Sequence, residues 1–179
     1  MVYVLLADGF EEVEAITPID ILRRAQIDVT TASIKNKTVT GAHNIAVTAD
    51  AVIDEIDPSD MEMLILPGGA GHELLDASNK AHALINYASE KGLYIGAICA
   101  APSILGKKML LDSKKATCFP GFEKYLFNAE VVHDKVVTDG KIITARGAGA
   151  AAEFGFELCA LLKGKDIAND LRETMQYND

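Results

Sequence analysis

The apolar runs "VYVLLA" (2–7), "MEMLIL" (61–66) and "LYIGAIC" (93–99) carry almost no polar residues, and each is followed by a turn and then by residues at helical spacing. A strand with one face in water alternates polar and apolar residues, whereas an unbroken apolar strand must be covered on both faces. Strands of this second kind, alternating with helices, predict a doubly wound α/β domain around a mainly parallel sheet. The length of 179 residues suits one such core, so 1–179 reads as a single domain with 165–179 as a terminal surface helix or tail.

Local signals fill in the elements between these runs. After "DGFEE", the stretch "VEAITPIDILRRA" sets Val13, Ile16, Ile19, Ile21 and Leu22 mainly at helical spacing. Pro18 is expected to kink that helix or to mark its true start, because proline lacks an N–H and crowds the preceding turn. "IDVTTASI" is a β-branched strand, and "TVTGAHNIAVTADAVI" is an excursion turning at Gly41. "HELLDASNKAHALINYASEKG" reads as one amphipathic helix closed by Gly92, and "AAPSILGKKMLL" as another helix. "KATCF" is expected to be a strand, "AEVVHDKVVTDGKIITA" a hairpin turning at Asp139-Gly140, and "GAGAAAEFGFELCALLKG" a long packed helix.

Composition narrows the function classes. Seventeen Lys and Arg against 26 Asp and Glu leave a formal charge of -9, which argues against nonspecific nucleic-acid binding and against anionic membrane surfaces. Cys99, Cys118 and Cys159 are too few and too scattered for a disulfide framework or a zinc cluster. No export leader is legible, so a cytoplasmic location is expected.

In an open parallel sheet, ligands gather beyond the carboxyl ends of the strands. Three such ends carry unusual residues here: "DGFEEVE", "PGGAGH" and Cys99. Cys99 lies at a strand-to-helix turn of the kind that exposes a nucleophile, and Pro102 suits the first turn of the helix behind it. Amides at a helix start favour thiolate. Gly68-Gly69 lets backbone amides approach a ligand, and with the Ala100 amide would form an oxyanion hole. Among the acidic residues Glu11, Glu12 and Glu14, a carboxyl facing the thiol would have its pKa raised and serve as proton donor or acid/base; helical phase leaves Glu11 and Glu14 equivalent. His72 is a possible auxiliary residue or an ordinary member of its helix, while His43 and His82 look like surface residues and His133 sits in the hairpin. Cys118 and Cys159 fall in apolar patterns and read as core.

Taken together, "DGFEEVEA", "LILPGG", "AICAAP" and "TARGAG" resemble, in order and spacing, the ThiJ/PfpI superfamily, within the subgroup of the Parkinsonism-associated deglycase and its bacterial YajL-type relatives. The resemblance covers essentially the whole chain. It implies a flavodoxin-like homodimeric sandwich with an oxidation-prone nucleophile, Cys99, on a nucleophile elbow. It places on Glu14 the protonated carboxyl that donates to the sulfur and supports a low thiol pKa, and it maps the oxyanion-hole amides onto Gly69 and Ala100. Protease-like members carry histidine directly after the nucleophile; Ala100 stands there, which removes a peptidase base. Deglycase relatives often have a histidine upstream of the "DG" turn, where this chain has Asn128, with His133 nearer the turn.

The implied activity is that of a glyoxalase or deglycase acting on methylglyoxal-like α-oxoaldehydes or their early adducts on thiols and amines, with no metal or organic cofactor. The alternative is a redox-sensing or chaperone-like stress protein built on an oxidisable Cys99. Thiazole phosphate biosynthesis is a remote third, since no familiar phosphate loop is present.

Overall fold

The computed structural model describes residues 1–177. Strand β1 (Val2–Leu6) leads into helix α1 (Glu12–Arg24) and strand β2 (Val29–Ser33), after which β3 (Thr38–Thr40) and β4 (Ala46–Thr48) form a hairpin and β5 (Ala51–Val52) returns to the sheet. Next come β6 (Met63–Leu66), α2 (His72–Asp76), α3 (Asn79–Glu90), β7 (Tyr94–Ile98) and α4 (Pro102–Lys107). The chain continues through β8 (Lys115–Ala116), β9 (Glu130–Val131), β10 (Val136–Asp139), β11 (Ile142–Ala145), α5 (Ala151–Lys163) and α6 (Lys165–Thr174).

Seven strands form the central sheet in the order β10, β11, β7, β6, β1, β2, β5, and every neighbouring pair is parallel except β10 with β11. The unbroken apolar runs follow from covering both faces. Along β1, Val2, Val4 and Leu6 join Ile19, Leu22 and Phe154 of α1 and α5. Tyr3, Leu5 and Ala7 point the other way, into a second core with Ile85 of α3 and Leu105 of α4. This is the doubly wound, flavodoxin-like arrangement expected from the strand pattern.

Several local expectations change. Helix α1 starts at Glu12 and runs through Pro18, which therefore neither begins nor ends it. The missing proline N–H would have met the Glu14 carbonyl, and burial of Ile19, Ile21 and Leu22 offsets that loss. The stretch 72–92 is two helices, not one. Ser78 separates them, because its Oγ accepts the Ala81 N–H at 3.2 Å and so caps α3. Gly92 closes α3 with a φ of 65°, as expected of a helix-ending glycine.

In "KATCF" only Lys115–Ala116 is a strand, and it pairs with β9 outside the central sheet. The later residues are drawn away from that ladder, since the Phe119 N–H donates to the Cys99 carbonyl at 2.8 Å. Helix α4 stops at Lys107, and Met109 follows at a φ of 60°. At the carboxyl end, α6 buries Ala168 and ends at Thr174; the expected reach of that segment to 179 extends beyond the described residues. Among the described residues no helix is long and apolar enough to cross a membrane.

The parallel register of β1, β6, β7 and β11 brings their carboxyl ends to one edge of the sheet. The segments leaving that edge carry Glu14, in the first turn of α1, and Gly68-Gly69, Cys99-Ala100 and Gly147-Ala148.

Candidate active site

Cys99 follows β7 directly and has a φ of 65°, a left-handed conformation that costs a non-glycine residue energy. Its neighbours hold it there: the Cys99 N–H donates to the Ala145 carbonyl at 2.8 Å, and its own carbonyl accepts from Phe119 at 2.8 Å. A strained turn tied on both sides projects the half-buried side chain out of the strand.

The partner of that side chain is Glu14, in the first turn of α1 and 1% exposed. Its carboxyl hydrogen-bonds Cys99 and accepts the amides of Gly68, at 3.0 Å, and Ala148. The Gly69 and Ala100 amides are near enough to the Cys99 sulfur to favour its thiolate. Both of these peptide units are anchored from behind, since the Gly68 carbonyl accepts the Glu11 N–H at 3.2 Å and the Cys99 carbonyl accepts Phe119. Four backbone amides therefore surround a carboxyl–thiol pair. Of the two candidates it is Glu14 that meets the thiol; Glu11 stands just before α1, where its N–H anchors the Gly68 carbonyl and its charge raises Glu14.

The pair is arranged to hold one proton. Burial, reinforced by the Glu11 charge, raises Glu14 from the ordinary carboxyl range to about 7, against the lowering hydrogen bonds from Cys99, Gly68 and Ala148. Burial and then the Glu14 charge and hydrogen bond push the Cys99 thiol up to about 12, against the Gly69 and Ala100 amides. The expected lowering of the thiol therefore does not arise while Glu14 is ionised. Part of the reason is that α4 begins only at Pro102 and is six residues long, so its dipole adds little to the two amides at the sulfur.

The other candidates lie elsewhere. His72 is buried, with Nδ1 2.8 Å from the Gly69 carbonyl and its ring edge-on to Phe122; it backs the Gly69 loop instead of facing the sulfur. His82 is half-buried and bonds the Asp76 carbonyl through Nε2 at 2.7 Å. Asn128 and His133 are both exposed; the Asn128 carbonyl accepts Ser113 and the His133 carbonyl accepts Arg146, and the groups that set the pair's protonation are Glu11 and amides, not a histidine. Cys118 and Cys159 are buried, as their apolar patterns imply.

Among the described residues there is one group of metal-ligand type. Ligand atoms of Glu11, Glu12 and His43 lie within 4.8 Å of one another. Glu12 is already committed, accepting the His43 N–H at 2.8 Å and meeting the His43 ring Nδ1 at 2.9 Å, so the group fastens the 41–45 turn to α1.

Sequence reasoning missed the Ala148 amide and the placement of Phe119. A glycine-rich turn after a strand, "RGAG", is the same signal as "PGG" and points to the first. Nothing in the spacing points to the second, because Phe119 reaches the site by leaving the β8 ladder.

Residues 1–161 match the DJ-1/PfpI family. Protein DJ-1 homolog B of Arabidopsis thaliana is 39% identical over 171 residues, covering 93% of this chain but 39% of the plant protein, so the chain spans well under half the length of that relative. A deglycase of Pyrococcus abyssi is 33% identical over 90% of this chain and 99% of its own. The structure of oxidized DJ-1 from Toxoplasma gondii superposes with a TM-score of 0.95 at 30% identity, covering 99% of this chain and 98% of that one. Sequence, fold and relatives agree: the chain belongs to the DJ-1/PfpI family.

Proposed function

We propose that the protein is a cofactor-independent glyoxalase or deglycase in which Cys99 and Glu14 process α-oxoaldehydes such as methylglyoxal, or their early adducts on thiols and amines. The observation that carries this reading is the hydrogen bond between a buried carboxyl raised to about 7 and a half-buried thiol, each with its own amides. The Pyrococcus relative's name, a deglycase, supports it.

Because the thiol is held protonated beside ionised Glu14, attack and proton transfer go together. The carboxylate takes the S–H proton as sulfur bonds to the aldehyde carbon, and the carbonyl electron pair moves onto oxygen. That oxygen lies against the Gly69 and Ala100 amides, which are oriented before the reaction begins. Glu14 passes the proton it took to the oxyanion, giving a hemithioacetal, and, a carboxylate again, takes the hydrogen of the former aldehyde carbon as a proton and returns it to the neighbouring carbon, while the hydroxyl proton passes to that carbon's oxygen. The product is a thioester, the first carbon being oxidised and the second reduced within one molecule. Water then releases the 2-hydroxy acid and the thiol. A homodimer, implied by the resemblance, remains part of this reading.

Replacing Cys99 with serine is expected to abolish lactate formation from methylglyoxal in chelator-treated protein whose circular dichroism is unchanged. Turnover at the original rate would overturn the mechanism.

A second reading is favoured by the oxidized form of the Toxoplasma relative. A sulfinate on Cys99 would be held by the same Glu14 carboxyl and amides, which makes this thiol a candidate oxidant sensor. Mild peroxide followed by mass spectrometry is expected to modify Cys99 before the buried Cys118 and Cys159; preferential oxidation of either buried thiol would count against a sensor at Cys99.

A further inference from the structure

We propose that the open apolar cavity beside Cys99 is a subsite for the carbon substituent of the substrate, and that it selects α-oxoaldehydes bearing an aryl group. The inference rests on the reading that Cys99 adds to an oxoaldehyde and names the class of oxoaldehyde.

The cavity measures about 410 Å³ and is lined chiefly by Phe119, Pro120, Gly147, Ala148 and Ala150. Phe119 is 47% exposed, an unusual position for a ring, yet its backbone N–H is fixed 2.8 Å from the Cys99 carbonyl. The residue carrying the ring is thus tied to the Cys99 backbone, and the ring keeps an open face. Gly147 joins the cavity to the reacting pair. A methyl group built on Gly147 would stand 3.3 Å from Phe119 Cδ2 and 3.8 Å from Glu14 Oε1, so a side chain there would fill the gap between ring and carboxyl that glycine leaves open.

Two cations border the cavity and are directed elsewhere. Arg146 Nη1 donates to the His133 carbonyl at 3.3 Å, and Lys135 Nζ bonds Glu153 at 2.7 Å. What faces the space near the pair is therefore mainly carbon. The methyl of methylglyoxal leaves most of that volume to water, whereas an aryl ring fills it and meets Phe119 edge-on or offset-stacked. Apolar subsites discriminate substituents of different size by about 10- to 200-fold.

The test compares kcat/KM for phenylglyoxal and methylglyoxal in the unaltered protein, Phe119→Ala and Gly147→Ala. The ratio of phenylglyoxal to methylglyoxal is expected to fall about tenfold in Phe119→Ala, which removes the ring, and in Gly147→Ala, which fills the gap. The same proteins are alkylated at Cys99 with phenacyl chloride and with chloroacetone, each rate normalised to free cysteine. This ratio is expected to fall in parallel and needs no turnover. Ratios unmoved in both variants, with methylglyoxal still consumed, overturn the subsite and leave the activity standing. A fallen alkylation ratio without turnover of either aldehyde supports the subsite and overturns the activity. Unmoved ratios without turnover overturn both.

Discussion

Gly68→Ala is expected to cut turnover about a hundredfold and to destabilise the protein by about 1–3 kcal/mol. The reason is steric. A Cβ at this position would lie 2.5 Å from Glu14 Oε2, 2.6 Å from the Cys99 Cβ and 3.0 Å from the Ile98 carbonyl oxygen. None of the three yields easily, since Glu14 is buried in the first turn of α1, Cys99 is pinned by hydrogen bonds on both sides of its strained φ, and Ile98 belongs to a central strand. The carboxyl and thiol meet across Gly68, so one methyl group there drives apart the two groups that must exchange a proton. A displacement near 1 Å is enough for a loss of this size. Iodoacetamide labelling, lactate formation and urea unfolding on one preparation would show it. Near-normal turnover in Gly68→Ala would mean that the close Glu14–Cys99 contact is not used in the reaction.

How much of this was legible depends on whether the signal was local. The two-sided core is written in "VYVLL", because a strand covered on both faces has no polar positions to alternate. The sharp turn at Cys99 was legible because small residues and a proline mark it, whereas the Gly68-Gly69 pair, which equally suits an ordinary strand-to-helix turn, gained meaning only beside Cys99. Glu14 was half legible: burial by the sheet edge, not helical phase, separates it from Glu11. The break at Ser78 was overlooked because Leu75, Ala81 and Ile85 continue an apolar pattern across it, while a side-chain cap decides where the helix restarts. By count from the Asp139-Gly140 turn, Asn128 stands where relatives often carry a histidine, with His133 nearer the turn. The chain instead brings Phe119 to Cys99 through one long-range backbone hydrogen bond. Such a contact between distant loops leaves no periodic trace in the sequence.

Glu14→Gln is expected to make the protein more stable at alkaline pH relative to the unaltered chain while removing its activity. A carboxyl raised from 4.5 to about 7 on folding stabilises the native state only while protonated. In the window between these values the native chain holds a proton that the unfolded chain has released, so stability falls as pH rises, beginning near 4.5 and complete above about 7. Glutamine cannot titrate and loses nothing. Between about pH 5 and about pH 8 the stability difference should therefore move in favour of Glu14→Gln by about 2–3 kcal/mol, read by urea unfolding of both proteins. An unchanged difference would place the Glu14 pKa near its unfolded value and remove its fitness as a base at neutral pH. The same substitution separates two roles for the carboxyl. If Glu14 moves protons, lactate formation falls by about 10²–10⁴-fold, while alkylation of Cys99 near pH 8 becomes faster because burial still raises the thiol but the added Glu14 charge is gone. If Glu14 instead serves only to stabilise a thiolate, both rates fall together.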